Sequence, residues 1–129
     1  MPYDYDPQNV FAKIVRGEIP NDTVLETAHS LAFNDIGPQA PVHVLVIPKG
    51  PYVNWDHFVA EASADEVLDF TKAIHGVVEA KGLEPGAGGQ GYRLIMNAGK
   101  AGVQEVPHLH VHIMSGRMLG HMVSRPPAA

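Results

Sequence analysis

The chain has 129 residues, 45% of them hydrophobic and 18% charged, and a net charge of −5, the balance of one globular domain able to bury about two-thirds of its unfolded surface. That acidity argues against a broad nucleic-acid-binding face, and the absence of cysteine excludes disulfides, thiolate catalysis and cysteine-ligated zinc. The first residues show neither a basic n-region nor an apolar h-region, and no stretch is long enough to span a bilayer, so the expectation is a cytoplasmic protein with no membrane contact.

Asp6-Pro7 reads as a helix opening, with Asp as the cap and Pro in the first turn. Val10, Phe11, Ile14 and Val15 then recur at helical spacing, and Gly17 and Pro20 close a helix of about ten residues. Thr23 to Thr27 and Leu31 to Asp35 read as a hairpin joined through Ala28-His29-Ser30. After the turn-rich link Asp35 to Pro41, Val42 to Ile47 is apolar on both faces, the pattern of a central buried strand. His43 is its single polar side chain and needs a hydrogen-bond partner once buried; taken alone it reads more readily as a satisfied core histidine than as a functional one.

Pro48 to Phe58, with Tyr52, Trp55 and His57, reads as an aromatic loop packed over a site or a partner subunit. Ser63 and Glu66 make a capping box, and Val67, Phe70, Ile74, Val77 and Val78 form the stripe of the main helix, which ends near Gly82 and carries His75 on its surface. Glu84 to Gly91 is a turn and Tyr92 to Asn97 the next strand. The glycines of the loop Asn97 to Gln104 either punctuate a turn or let backbone amides approach an anion.

Pro107 to Met114 should be the last strand. Side chains alternate along a strand, so His108, His110 and His112 project to one face, roughly 6.5 to 7 Å apart, and Leu109, Val111 and Ile113 to the other. The whole reads as a single α+β domain over residues 1–129, with an irregular tail from 118. A five-stranded, mostly antiparallel sheet is joined by one short N-terminal helix and one long helix that covers the Leu109 face. The histidine face is left for a ligand.

Two chemistries use imidazoles presented this way. One is a zinc site; the other is phosphoryl transfer, in which one imidazole attacks phosphorus while others donate to the phosphate oxygens and leaving group. For the second, Asn97 and its loop would supply donors. Asp35, near a pocket made by Phe11 and Ile14, would accept from two ribose hydroxyls; the plainer readings are a turn-starting Asp and core packing.

The segment His108-Leu109-His110-Val111-His112-Ile113-Met114 matches the His-φ-His-φ-His-φ-φ signature of the histidine triad (HIT) superfamily. Val10 to Pro20 resembles the first helix of its Hint branch, the nucleoside phosphoramidases, and Leu31 to Lys49 and Asn97 to Gln104 are similar to further blocks of that branch. The resemblance covers roughly residues 10 to 49 and 91 to 117. It implies the HIT fold, with His110 as the nucleophile at the α-phosphorus of a purine nucleotide and His112 on the phosphate and leaving group. His108 and His43 would fix ring orientation, and Asp35 would hold the ribose. Val10, Phe11, Ile14, Phe33, Ile36 and Leu45 would line the purine pocket, with Asn34 beside Asp35 and with Asn97, Gln104 and Glu105 near the phosphate. It also implies a homodimer whose sheets join, and no cofactor required for catalysis.

Three positions depart from the animal Hint pattern. Glu105 stands where a serine contacts phosphate, Asn34 replaces a histidine beside Asp35, and the segment after Met114 lacks the tryptophan-containing C-terminus. The last bears on leaving-group preference, and all three bear on substrate specificity while leaving the catalytic residues in place. The rival readings are a dinucleoside polyphosphate hydrolase of the related Fhit branch and a zinc-binding or non-catalytic interaction protein.

Overall fold

The computed structural model describes residues 3–124; the extended tail expected over 125–129 lies outside them. Five strands, β1 (Thr23–Glu26), β2 (Ser30–Asn34), β3 (Val42–Pro48), β4 (Arg93–Met96) and β5 (Val111–Ser115), form one sheet in the order β1-β2-β3-β5-β4. All four pairings are antiparallel. β3 is central, as its two-sided apolar pattern requires: Val44 and Val46 reach one face, Leu45 and Ile47 the other, and all four are buried.

Three α-helices accompany the sheet: α1 (Val10–Val15), α2 (Trp55–Glu61) and α3 (Ala64–Ala80). The capping box of Ser63 and Glu66 opens α3 as expected. Its stripe of Phe70, Ala73, Val77 and Val78 packs on Val44, Val46, Leu109, Val111 and Ile113, each large side chain contributing about 1.5–3 kcal/mol by leaving water. On the opposite face, α1 lays Phe11 and Ile14 against Leu31, Phe33, Leu45 and Ile47. Among the described residues no helix is long and apolar enough to cross a membrane.

Three expectations are corrected. The first helix is six residues long and is capped by Asn9, whose side chain accepts from the Ala12 N–H; Asp6 instead turns the chain before it, accepting from the Gln8 and Asn9 amides. The supposed loop Pro48 to Phe58 ends in α2, with Asn54 capping the His57 N–H and Phe58 delivered fully buried into the core. The last strand begins at Val111, not Pro107. Before it the chain leaves the ladder, and the Leu109 N–H donates to the Tyr52 carbonyl at 2.8 Å.

Candidate active site

Register places the site. Leu45 of β3 and Ile95 of β4 flank His112 directly, and His43 pairs with Met114, two residues along β5, so it is the diagonal neighbour of His112 on the same face. His43 Nε2 and His112 Nδ1 lie 2.9 Å apart. His110 and His108 follow on the same side although they precede the regular strand: the His110 ring is 5.0 Å from that of His112 and 5.0 Å from Phe11, and the His108 ring is 6.3 Å from Phe11.

The partners of each imidazole fix where its proton sits. His43 Nδ1 accepts from the Gln39 N–H at 3.0 Å, so His43 carries its proton on Nε2 and donates to His112 Nδ1, with Asp35 Oδ2 3.4 Å away. His112 therefore holds its own proton on Nε2. His110 Nδ1 donates to the His108 carbonyl at 2.7 Å, which leaves Nε2 with a free lone pair. His108 Nε2 donates to the Pro48 carbonyl at 2.8 Å, and its Nδ1 accepts from the Tyr5 hydroxyl at 2.6 Å.

Burial disfavours the charged form of the three rings His108, His110 and His112. It pushes His108 down to about 4, partly offset by the Pro48 carbonyl. Burial and the neighbouring His110 and His43 rings push His112 down to about 4 as well. His110 is lowered by burial, against the opposing pull of the His108 carbonyl and of Asp35 and Glu105. At neutral pH the free nitrogen of His110 is thus an available base and nucleophile, and His112 is an uncharged donor.

The cleft in front of His110 and His112 has a volume of about 460 Å³. Of the residues expected there from sequence, Val10, Phe11, Ile14, Phe33, Ile36 and Leu45 form its apolar wall, and Asn34, Asp35, Asn97 and Glu105 its polar margin. Ile36 is fully exposed at the mouth. Asp35 spends Oδ1 on the Gly37 N–H at 2.7 Å, the turn role, while still facing the cleft. Asn97 commits one N–H to the Gly102 carbonyl. His43 and His108 do not line the cleft; they stand behind it.

Gln104 is a correction. Its side-chain amide donates to the Val53 and Val106 carbonyls, at 2.6 and 3.0 Å, and it does not line the cleft. It ties the loop to the segment before α2. Gly102 answers the question left open for the loop glycines: a Cβ there would sit 2.5 Å from the Ala98 carbonyl oxygen, so the loop closes on itself only with glycine. Val103 beside it takes φ of 55°, the one positive φ of a non-glycine residue among those described, and lines the cleft. A branched residue in that region costs roughly 1–2 kcal/mol, held here by the hydrogen bonds of Asn97 and Gln104 on either side.

Sequence reading missed Tyr5, Gln39 and Asp22. No local signal marks Tyr5, whose partner lies 103 positions away.

Asp35, His43 and His112 also bring three ligand-type atoms within 4.8 Å of one another. His43 Nε2 and His112 Nδ1 are already joined by a hydrogen bond, so a cation held by both of these nitrogens would have to displace the proton between them.

The HIT domain family model matches residues 16–119. The chain belongs to the HIT family. It is 54% identical over 121 residues to a 13.2 kDa HIT-like protein of Azospirillum brasilense, covering 94% of this chain and 96% of that one. It is 42% identical over 120 residues to a protein of Escherichia coli named purine nucleoside phosphoramidase, covering 91% and 94%. Among solved structures it resembles a histidine triad protein from Clostridium difficile, with a TM-score of 0.77 and 36% identity over 93% of this chain and 100% of the other. The five-stranded antiparallel sheet with its helices is thus the HIT fold.

Proposed function

We propose that this HIT protein hydrolyses purine nucleoside 5'-phosphoramidates through a covalent nucleotidyl-histidine. The observation that carries the reading is the polarity of His110: its Nδ1–H is spent on a backbone carbonyl, so the nitrogen left over is the nucleophilic one, and its ring lines an apolar cleft sized for a nucleoside. The name of the Escherichia coli relative supports the same chemistry.

In this mechanism the apolar wall takes the purine and Asp35 the ribose hydroxyls. His110 Nε2 forms a bond to the α-phosphorus as the P–N bond of the substrate breaks. The departing nitrogen takes up a proton from solvent in the open cleft and leaves as a neutral amine, while His112 Nε2–H remains hydrogen-bonded at the phosphate. Water then attacks phosphorus, the bond to His110 breaks, and the nucleoside monophosphate and a proton are released. His112 Nε2–H stabilises the phosphate charge in both steps. No metal is needed for either.

The charges around the cleft favour this substrate over a dinucleoside polyphosphate. Its described lining includes Asp22, Asp35 and Glu105 and no lysine or arginine, so nothing cationic awaits further phosphates. Purified protein is expected to turn over an adenosine phosphoramidate at least about tenfold faster than a diadenosine polyphosphate, equivalent to about 1.4 kcal/mol in the barrier, with and without a chelator. The reverse order of rates would favour the Fhit-type reading, and loss of activity to the chelator the zinc reading.

The reading includes a cytoplasmic homodimer. β4 is an edge strand whose Leu94 and Met96 are 45% and 44% exposed, an arrangement that antiparallel pairing with a second copy would cover. Sedimentation of the purified chain is expected to give a dimer at micromolar concentration, converted to monomer by Met96→Lys. A wild-type chain that sediments only as monomer would end the dimer proposal.

A further inference from the structure

The segment before α1 reaches the triad from behind. Tyr3 donates from its hydroxyl to Asp56 Oδ2 at 2.6 Å and stacks on His57, 5.2 Å between ring centres, so the segment is docked on α2. Two residues on, Tyr5 places its hydroxyl 2.6 Å from His108 Nδ1, with the rings 5.6 Å apart and inclined at 66°. Tyr5 is half-buried, and burial raises its phenol above the ordinary value, so it remains a protonated donor at neutral pH.

His108 has no exposure at all. A buried neutral imidazole offers one donor and one acceptor and needs a partner for each. The Pro48 carbonyl can only accept, which obliges Nε2 to carry the proton and leaves Nδ1 with a lone pair. Among the described residues only the Tyr5 hydroxyl meets that lone pair. The two bonds hold the ring from opposite edges. The carbonyl of this same residue receives the His110 Nδ1–H. An acceptor that shifts or rotates would release that proton and allow the other tautomer of His110, in which Nε2 is protonated and cannot attack.

We propose that Tyr5 is a positioning residue for the histidine triad, its hydroxyl holding His108 in one tautomer and orientation and thereby keeping the free lone pair of His110 directed at the substrate. This rests on the reading of His110 as nucleophile. Tyr5 does not line the cleft, so its effect falls on kcat and not on substrate affinity.

Tyr5→Phe keeps the ring and removes only the hydroxyl. It is expected to lower kcat on an adenosine phosphoramidate by about tenfold, in the range found when a supporting hydrogen bond behind a reactive group is removed, with KM within twofold of wild type. In the ¹⁵N spectrum of the imidazoles the wild-type His108 signals should show protonated Nε2 and an accepting Nδ1, and Tyr5→Phe should move the Nδ1 signal. Tyr3→Phe, which weakens the same docked segment without touching a triad histidine, should leave kcat and these signals unchanged.

The proposal is overturned if Tyr5→Phe keeps kcat within twofold with unmoved His108 signals, or if Tyr3→Phe loses as much kcat as Tyr5→Phe. It is also overturned if wild-type His108 is found protonated on Nδ1, a measurement that needs no variant. Inactivity of wild type on phosphoramidates with the His108 tautomer as described would count against the proposed reaction, while the spectra would still decide whether Tyr5 holds the ring.

Discussion

Replacing His110 with alanine is expected to lower turnover by at least about 10³-fold, the scale on which loss of a nucleophile acts, and to abolish any trappable nucleotidyl adduct. The fold should survive, because His110 lies at the cleft wall ahead of β5 and among the described residues its side chain bonds only the His108 carbonyl, which water entering the cleft can satisfy. Rapid acid quench of wild type with a labelled nucleoside phosphoramidate, followed by mass analysis, should place the label on His110. An adduct on His112, or substantial turnover by His110→Ala, would show that the His110 Nε2 lone pair is not the attacking one.

The second large effect is expected at His112. His112→Ala should slow single-turnover formation of the adduct by about 100-fold or more, because it removes one preorganised donor from the developing phosphate charge. The adduct should still form, on His110, and this separates the two histidines. Structural damage should be modest: His43 Nε2–H, deprived of its partner at 2.9 Å, has Asp35 Oδ2 at 3.4 Å to turn to. Only a few-fold loss would mean that the backbone amides of the 97–104 loop carry the phosphate charge without it.

The triad and its core were legible because alternation is a local property. Leu109, Val111 and Ile113 had to face the helix, and His108, His110 and His112 had to face away, whatever the exact start of the strand. That start was misplaced because a run of alternating residues does not say where its neighbour's ladder ends; the pairing of β5 with β3 stops at Val111, opposite Val46, and before it the chain bonds with Tyr52 instead. α2 was missed for a related reason. Seven residues carry too little helical period to outvote two flanking prolines and a loop-like composition, and its real signal was the cap at Asn54 with Trp55 and Phe58 three apart.

The polar margin was legible only in part. Asp35, Asn97 and Glu105 arrive at the cleft, but Gln104, adjacent to Glu105 in sequence, points the other way to bind backbone carbonyls. In an irregular loop neither a helical nor a strand period assigns a side, so adjacent residues cannot be sorted from sequence. His43 shows the opposite case. Its burial was readable from Val42 to Ile47, while its service to His112 depended on the diagonal register between β3 and β5, which no single strand encodes.

The stretch matched by the family model begins at residue 16, yet Val10, Phe11 and Ile14 of the apolar cleft wall and the tyrosine behind the triad all precede it. The relative of Azospirillum brasilense nevertheless aligns over 121 residues, 94% of this chain, so the likeness reaches past the family model into the helix that walls the cleft. The upstream helix and its approach supply one wall of the cleft and the hydroxyl behind His108 without carrying a single residue of the signature. Trimming this chain to residues 16–119 would preserve the histidines and discard part of their setting.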